Sequence, residues 1–250
     1  MYNVYKRSGC MKKRKYIIGI LGIICLNICN YYKDEINNIF LNFNYNSNSI
    51  IKKTNDNTNI LEYVGDNYIT INNNIPEFQE TDFEKDNFES YSDLDYLGRA
   101  GVAYVKIGRE SMPTEKRGSI GMIKPTGWHT IKYSNISGKY LYNRCHLIGY
   151  QLTGQNDNNK NLITCTRNMN TVGMLEFENK VAEYIKNTNN HVLYRVTPIF
   201  ENKNLLATGV QMEACSVEDK CQEIKFNVFV YNVQDGITID YSNGNSKLKS

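Results

Sequence analysis

One stretch constrains the architecture before any other. In TVGMLEFENKVAEYIKN, residues 171–187, the apolar side chains Met174, Phe177, Val181, Tyr184 and Ile185 recur at helical spacing, and the run Asn187 to Asn190 ends the pattern. This predicts one amphipathic helix. β-branched and aromatic runs at 102–107, 119–124, 128–133 and 140–148 precede it, and runs at 191–199, 205–214 and 224–232 follow it. The turn ENKN at 201–204 predicts a hairpin between the first two of the later strands. Strands, one helix, then strands is the order of an α+β fold on a mostly antiparallel sheet. Upstream, Tyr68 to Ile71 reads as a short strand and the acidic stretch Asp82 to Leu97 as a brief helix. Both are expected to wrap the edge of the domain.

With 250 residues and a hydrophobic fraction of 41%, the chain can bury one ordinary core and still carry appendages. At the N-terminus, Lys12, Lys13, Arg14 and Lys15 precede an apolar run from Tyr16 to about Ile28. At roughly 13 residues the run suits the core of an export signal better than the ~20 residues of a bilayer span. No A-x-A-like triplet follows it. Residues 1–29 therefore read as a signal peptide or a retained signal anchor, with the protein secreted or tethered to the outer face of the cell membrane. Residues 30–60 are rich in asparagine and carry no period, which predicts a flexible tether, and the folded domain is then 61–245. Beyond the leader stand Cys145, Cys165, Cys215 and Cys221, for which disulfides and buried thiols are both open. No C-x-x-C pair suggests a zinc ribbon.

The net charge of +3 hides a reversal of sign along the chain. From Glu62 to Asp95 there are ten carboxylates and a single lysine, Lys85; from Arg99 to Arg144 nine basic residues face only Glu110 and Glu115. The second segment would attract a polyanion. Solvated surface charge is the ordinary cause of such runs, so the bias matters because it leads into His146, one of three histidines. If 140–147 is extended, Tyr140, Tyr142, Arg144 and His146 share one face, and Leu141, Asn143, Cys145 and Leu147 take the other. Arginine and histidine then point together. The same geometry excludes a Cys145–His146 dyad and sends Cys145 to the core.

Asn161 closes the loop 151–161, and Asn170 follows nine residues later where the helix begins. An asparagine there can cap free N–H groups. Its carbonyl is equally a neutral oxygen ligand for Mg²⁺, a hard cation that keeps most of its waters. Glu178, two turns along, is either an exposed helix carboxylate or the holder of a metal-bound water.

Taken together, NRCH, NLITCTRNMN with its nine-residue interval, and GMLEFE resemble the His–Asn signature of the DNA/RNA non-specific endonucleases, the ββα-metal or His-Me finger nucleases. The resemblance is closest to the secreted or membrane-tethered DNases and DNA-entry nucleases of Gram-positive bacteria, and it spans residues 60–245. It implies a ββα-metal core and hydrolysis of DNA to 5′-phosphate ends, with RNA left open as a second substrate. The implied cofactor is Mg²⁺, with Mn²⁺ able to stand in. Position by position, it implies that Arg144 and His146 occupy the Arg and His of the family's Asp-Arg-Gly-His motif. His146 would be the general base, Asn170 the metal ligand, Asn161 a supporting loop asparagine and Glu178 an outer-shell acid. Asn143 and Cys145 depart from the family's aspartate and glycine, both on the strand face away from His146.

Phosphodiester hydrolysis needs these parts. A neutral histidine, with an ordinary pKa of about 6.5, can take a proton from water near neutrality. Magnesium can neutralise charge on phosphate oxygens, and the planar fork of Arg144 can clamp them. Phosphate contacts read no sequence, which accounts for a lack of specificity. Trp128 could stack on a base but is expected in the core, and His129 and His191 are expected to be structural or superficial. The rival reading is a secreted nucleic-acid-binding protein of the same fold that captures DNA without cutting it.

Overall fold

The computed structural model describes Tyr63 and residues 65–249, with the backbone of 51–52 and 60–61. In the N-terminal unit, which ends at Glu62, β1 (Ile51–Lys52) pairs antiparallel with β2 (Ile60–Leu61). The leader, residues 1–29, and the rest of the expected tether lie outside the described residues.

In the second unit, β3 (Tyr68–Thr70), the short helix α1 (Glu80–Phe83), β4 (Phe88–Tyr91) and β5 (Ala103–Ile107) come first. Then follow β6 (Tyr142–His146), α2 (Tyr150–Thr153), β7 (Leu162–Thr166) and a π-helical turn, Met169–Met174, that runs into α3 (Leu175–Thr188). The chain ends in β8 (Val192–Ile199), β9 (Gly209–Ser216), β10 (Lys225–Tyr231), β11 (Ile237–Ile239) and β12 (Ser246–Leu248). Six of these strands make one sheet in the order β3-β10-β9-β8-β5-β4, antiparallel at every pairing. The acidic segment supplies both edges of that sheet, β3 and β4, so it does wrap the domain's rim.

Helix α3 buries Phe177, Val181, Tyr184 and Ile185 of the stripe its periodicity predicts, with Ala182 beside them, and Met174 is buried in the π-turn that precedes it. Phe177 meets Tyr68 and Phe226 edge-on or tilted, with ring centroids 4.8 and 4.9 Å apart. Where the π-turn crosses β10, a Cβ on Gly173 would stand 2.4 Å from Val230 Cγ1, so only glycine lets the two backbones approach this closely. The core joins this stripe to the sheet residues Val105, Tyr194, Val196 and Met212 and to Cys145 and Ile163.

Other segments depart from what their sequence predicts. Runs 119–124 and 128–133 are loops, touching strand geometry only in an isolated bridge between Lys132 and Tyr140. The helix expected over Asp82 to Leu97 is the four-residue α1 followed by strand β4. Strand β7 was not expected, because LITCT is buried along its whole length and shows no alternation.

Candidate active site

β6 and β7 form a two-stranded ribbon of their own, with Arg144 opposite Thr164 and His146 opposite Leu162. Isolated ribbons twist strongly, and their faces separate imperfectly. Cys145 is wholly buried, as expected, but His146 is itself only 5% exposed. Asn143, expected on the far face, lines the same cavity as Arg144. Cys145 is bridged to Cys165, with Cα atoms 5.9 Å apart, and Cys215 to Cys221. The first disulfide ties the strand of His146 to the strand that leads to Asn170.

Two partners determine the state of His146. Its Nε2 lies 2.8 Å from the backbone carbonyl of Asn156, and its Nδ1 lies 3.2 Å from Arg117 Nη2. A carbonyl can only accept and a guanidinium can only donate, so Nε2 carries the proton and Nδ1 presents its lone pair. Burial holds the imidazole's pKa below the ordinary value; the Arg117 charge acts in the same direction and the carbonyls of Asn156 and Gln155 oppose it. The imidazole is thus held towards its neutral form, with the Nδ1 lone pair covered by the guanidinium of exposed Arg117.

Arg117 lines a cavity of about 470 Å³ together with Tyr142, Asn143, Arg144, Arg167 and Asn170. Arg144 donates through Nε to the carbonyl of Ile123 and through Nη2 to that of Gly121, 2.8 Å away. Its guanidinium lies 3.9 Å over the ring of Trp128. Trp128 is therefore only partly a core residue: one side packs on the smaller cluster around Leu141 and Leu206, and the other forms the cavity wall. Asn170 sits inside the π-turn, and its side chain hydrogen-bonds to no described residue, so it caps nothing.

Asn161 and Glu178 stand elsewhere. Asn161 is fully buried; its Oδ1 accepts from the N–H of Ile148 at 2.8 Å and its Nδ2 donates to the carbonyl of the same residue at 3.0 Å. It clamps the turn that leaves β6. Glu178 keeps part of its surface, yet its carboxyl is packed so tightly against Gly149 that a Cβ there would stand 2.6 Å from Oε2. Burial pushes that carboxyl up to about 7, against the opposing pull of Arg117 and Gln151. Arg117 thus acts electrostatically on both His146 and Glu178.

Of the other histidines, His129 reaches the carbonyl of Asn243 at 2.9 Å, and His191 pairs with Glu218 at 2.6 Å. Sequence reasoning gave no role to Arg117, Asn156 or Arg167. The only signal for Arg117 was its place in the basic run, and none marked Asn156.

The family of DNA/RNA non-specific endonucleases matches residues 79–218. NucA from Streptococcus agalactiae, in a structure with magnesium ion bound, is 25% identical and aligns with a TM-score of 0.63 over 71% of this chain and 86% of its own. The Sda1 nuclease, in a structure with bound zinc ion, is 28% identical, with a TM-score of 0.57 over 74% of this chain and 96% of its own. An extracellular endonuclease at 19% identity shares the fold, with a TM-score of 0.54 over 74% of this chain and 99% of that one. The matched segment holds the ribbon of His146, the turn of Asn170 and helix α3, and it covers more than half of the sequence. On that extent of agreement, the chain belongs to the DNA/RNA non-specific endonuclease family.

Proposed function

We propose that this nuclease is an exported, Mg²⁺-dependent enzyme that cuts DNA without sequence preference and leaves 5′-phosphate ends, with His146 as general base and Asn170 as the metal ligand. The observation that carries the reading is the tautomer of His146, whose partners leave Nδ1 as a lone-pair nitrogen beside a cationic cavity.

The side chains present fit magnesium. No cluster of three or more His, Cys, Asp or Glu that could hold an ion occurs among the described residues, which disfavours a cation needing several protein ligands. The unbonded amide of Asn170 offers one neutral oxygen, which suits a hard cation that keeps its waters and shares the substrate's phosphate. Bound there, the ion would supply positive charge to the phosphate oxygens and the departing 3′ oxygen. S. agalactiae NucA with magnesium bound supports this choice, and Sda1 with zinc shows that divalent ions of another kind enter a similar fold.

The chain's own residues do the rest. Arg117 is exposed and long, so its guanidinium can leave Nδ1 and turn to an incoming phosphate. Nδ1 then takes a proton from water while that water's oxygen bonds to phosphorus and the bond to the 3′ oxygen breaks. Asn156 holds the imidazole's orientation through Nε2–H, and Arg144, braced on Trp128, presents its remaining N–H groups to the phosphate. Asn161 acts as a positioning residue for the turn after His146, and Glu178, packed against Gly149 outside the cavity wall, acts on the site only through the charge of Arg117. The apolar run at 16–28 and two disulfides both suit an oxidising, extracellular setting.

Plasmid nicking by the purified protein with Mg²⁺, with EDTA, and by Asn170→Ala tests the reading. Cleavage only by the wild type with Mg²⁺ is expected. Equal cleavage by Asn170→Ala removes the metal assignment, and DNA binding without any nicking replaces the enzyme by a capture protein.

A further inference from the structure

Three arginines line the cavity beside His146, and two are already engaged by protein. Arg117 donates to His146, and Arg144 donates to the carbonyls of Gly121 and Ile123. Arg167 differs: its guanidinium has no hydrogen bond or ion pair with any described residue. Nor is it loose. Its backbone N–H donates to the carbonyl of Leu141 at 2.8 Å, and its own carbonyl accepts from Thr171 Oγ1 at 2.9 Å. Its guanidinium rests on Gly138, whose φ of +75° and missing side chain make room; a Cβ there would stand 3.3 Å from Cζ.

The guanidinium of Arg167, a half-buried residue in a cavity lined by no carboxylate, calls for an anion from outside. The cavity is also larger than one phosphate needs. Arg167 stands on the Asn170 turn, three residues before it, whereas Arg117 reaches the same cavity from the side of His146. A nucleic-acid strand carries one phosphate per nucleotide, so a strand in the cavity brings a second phosphate beside the one being cut. We propose that Arg167 binds the phosphodiester adjacent to the scissile one, making this a two-phosphate site. The proposal rests on the reading that the scissile phosphate lies between His146 and Asn170. It predicts a substrate class: strands with charged linkages on both the cut position and its neighbour.

The test uses DNA decamers whose linkages are uncharged methylphosphonates except at one phosphodiester, and the same decamers with a second phosphodiester restored on either side. Cleavage can occur only at phosphodiesters, and product lengths assign each cut in the two-phosphodiester decamers to one of the two linkages, so the side on which the neighbour lies is read directly. For the wild type, restoring the neighbour on one side should raise kcat/KM about tenfold, the scale of a lost charge-assisted contact. Arg167→Ala should show no such gain, and Arg167→Lys should keep part of it. An equal gain in wild type and Arg167→Ala overturns the proposal. So does a loss in Arg167→Ala that is the same on single-phosphodiester and two-phosphodiester decamers, which would put Arg167 on the scissile phosphate or in the fold. Ordinary DNA is assayed first: if the wild type leaves it intact, the underlying reading fails as well, whereas cleavage of ordinary DNA with no neighbour effect removes this inference alone.

Discussion

His146 shows how two hydrogen-bond partners decide a residue's chemistry. Because its folded pKa lies below the ordinary value, the neutral form persists to lower pH than in a free histidine. Its contribution to stability is present above about 6.5 and is lost as pH falls towards the folded pKa. Glu178 has the opposite sign. With its carboxyl pushed up to about 7, the folded protein holds a proton that the unfolded chain gives up at lower pH. Stability therefore declines as pH rises from about 4.5 to about 7. Glu178→Gln should abolish that decline, and urea unfolding at pH 5 and pH 8 should show a difference between variant and wild type that grows by on the order of 2 kcal/mol. A constant difference would mean that the carboxyl titrates normally. Neither sign was visible in the sequence. The gap at Gly149 that takes the Glu178 carboxyl, and the reach of Arg117 to a histidine 29 residues away, exist only once the chain is folded.

At the scale of elements, the ribbon β6–β7 and the turn after it place His146 and Asn170, and the Cys145–Cys165 disulfide ties the two strands. Replacing both cysteines by alanine should lower stability by about 3 kcal/mol, the scale for closing a loop of this length, and should cost nuclease activity in proportion to any loosening of His146. Thermal melting and nicking assays on the same sample check this; an unchanged melting temperature would show that the bridge adds nothing. Elements that carry a period were legible: α3 from its apolar stripe, and β5, β8 and β10 from their β-branched runs. The ribs at 119–133 were not. Their runs resemble strands, but the carbonyls of Gly121 and Ile123 are bound by Arg144 rather than by a neighbouring strand. The role of β7 was hidden for the converse reason, since full burial erases alternation.

For the whole molecule, the reversal of charge along the chain has a structural counterpart. The acidic segment forms both edges of the large sheet, while the basic run contributes Arg117 and Arg144 to the cavity. Binding should therefore be led by phosphates. For an inactive His146→Ala protein, the logarithm of affinity should fall linearly with the logarithm of salt concentration, with a slope of about −3 if each of the three cavity arginines meets one phosphate. Fluorescence anisotropy with labelled DNA from low to moderate salt measures it, and a flat response would point to base contacts instead.

Chemical rescue separates a base from a packing residue at position 146. His146→Gly should be nearly inactive and should leave a hole flanked by the Asn156 carbonyl and Arg117, the two groups that now hold the imidazole ring. Added imidazole should restore part of the nicking activity, with a pH dependence that follows imidazole's own titration and with Mg²⁺ still required. No rescue in a variant that is folded and still binds DNA would mean that His146 is not the general base.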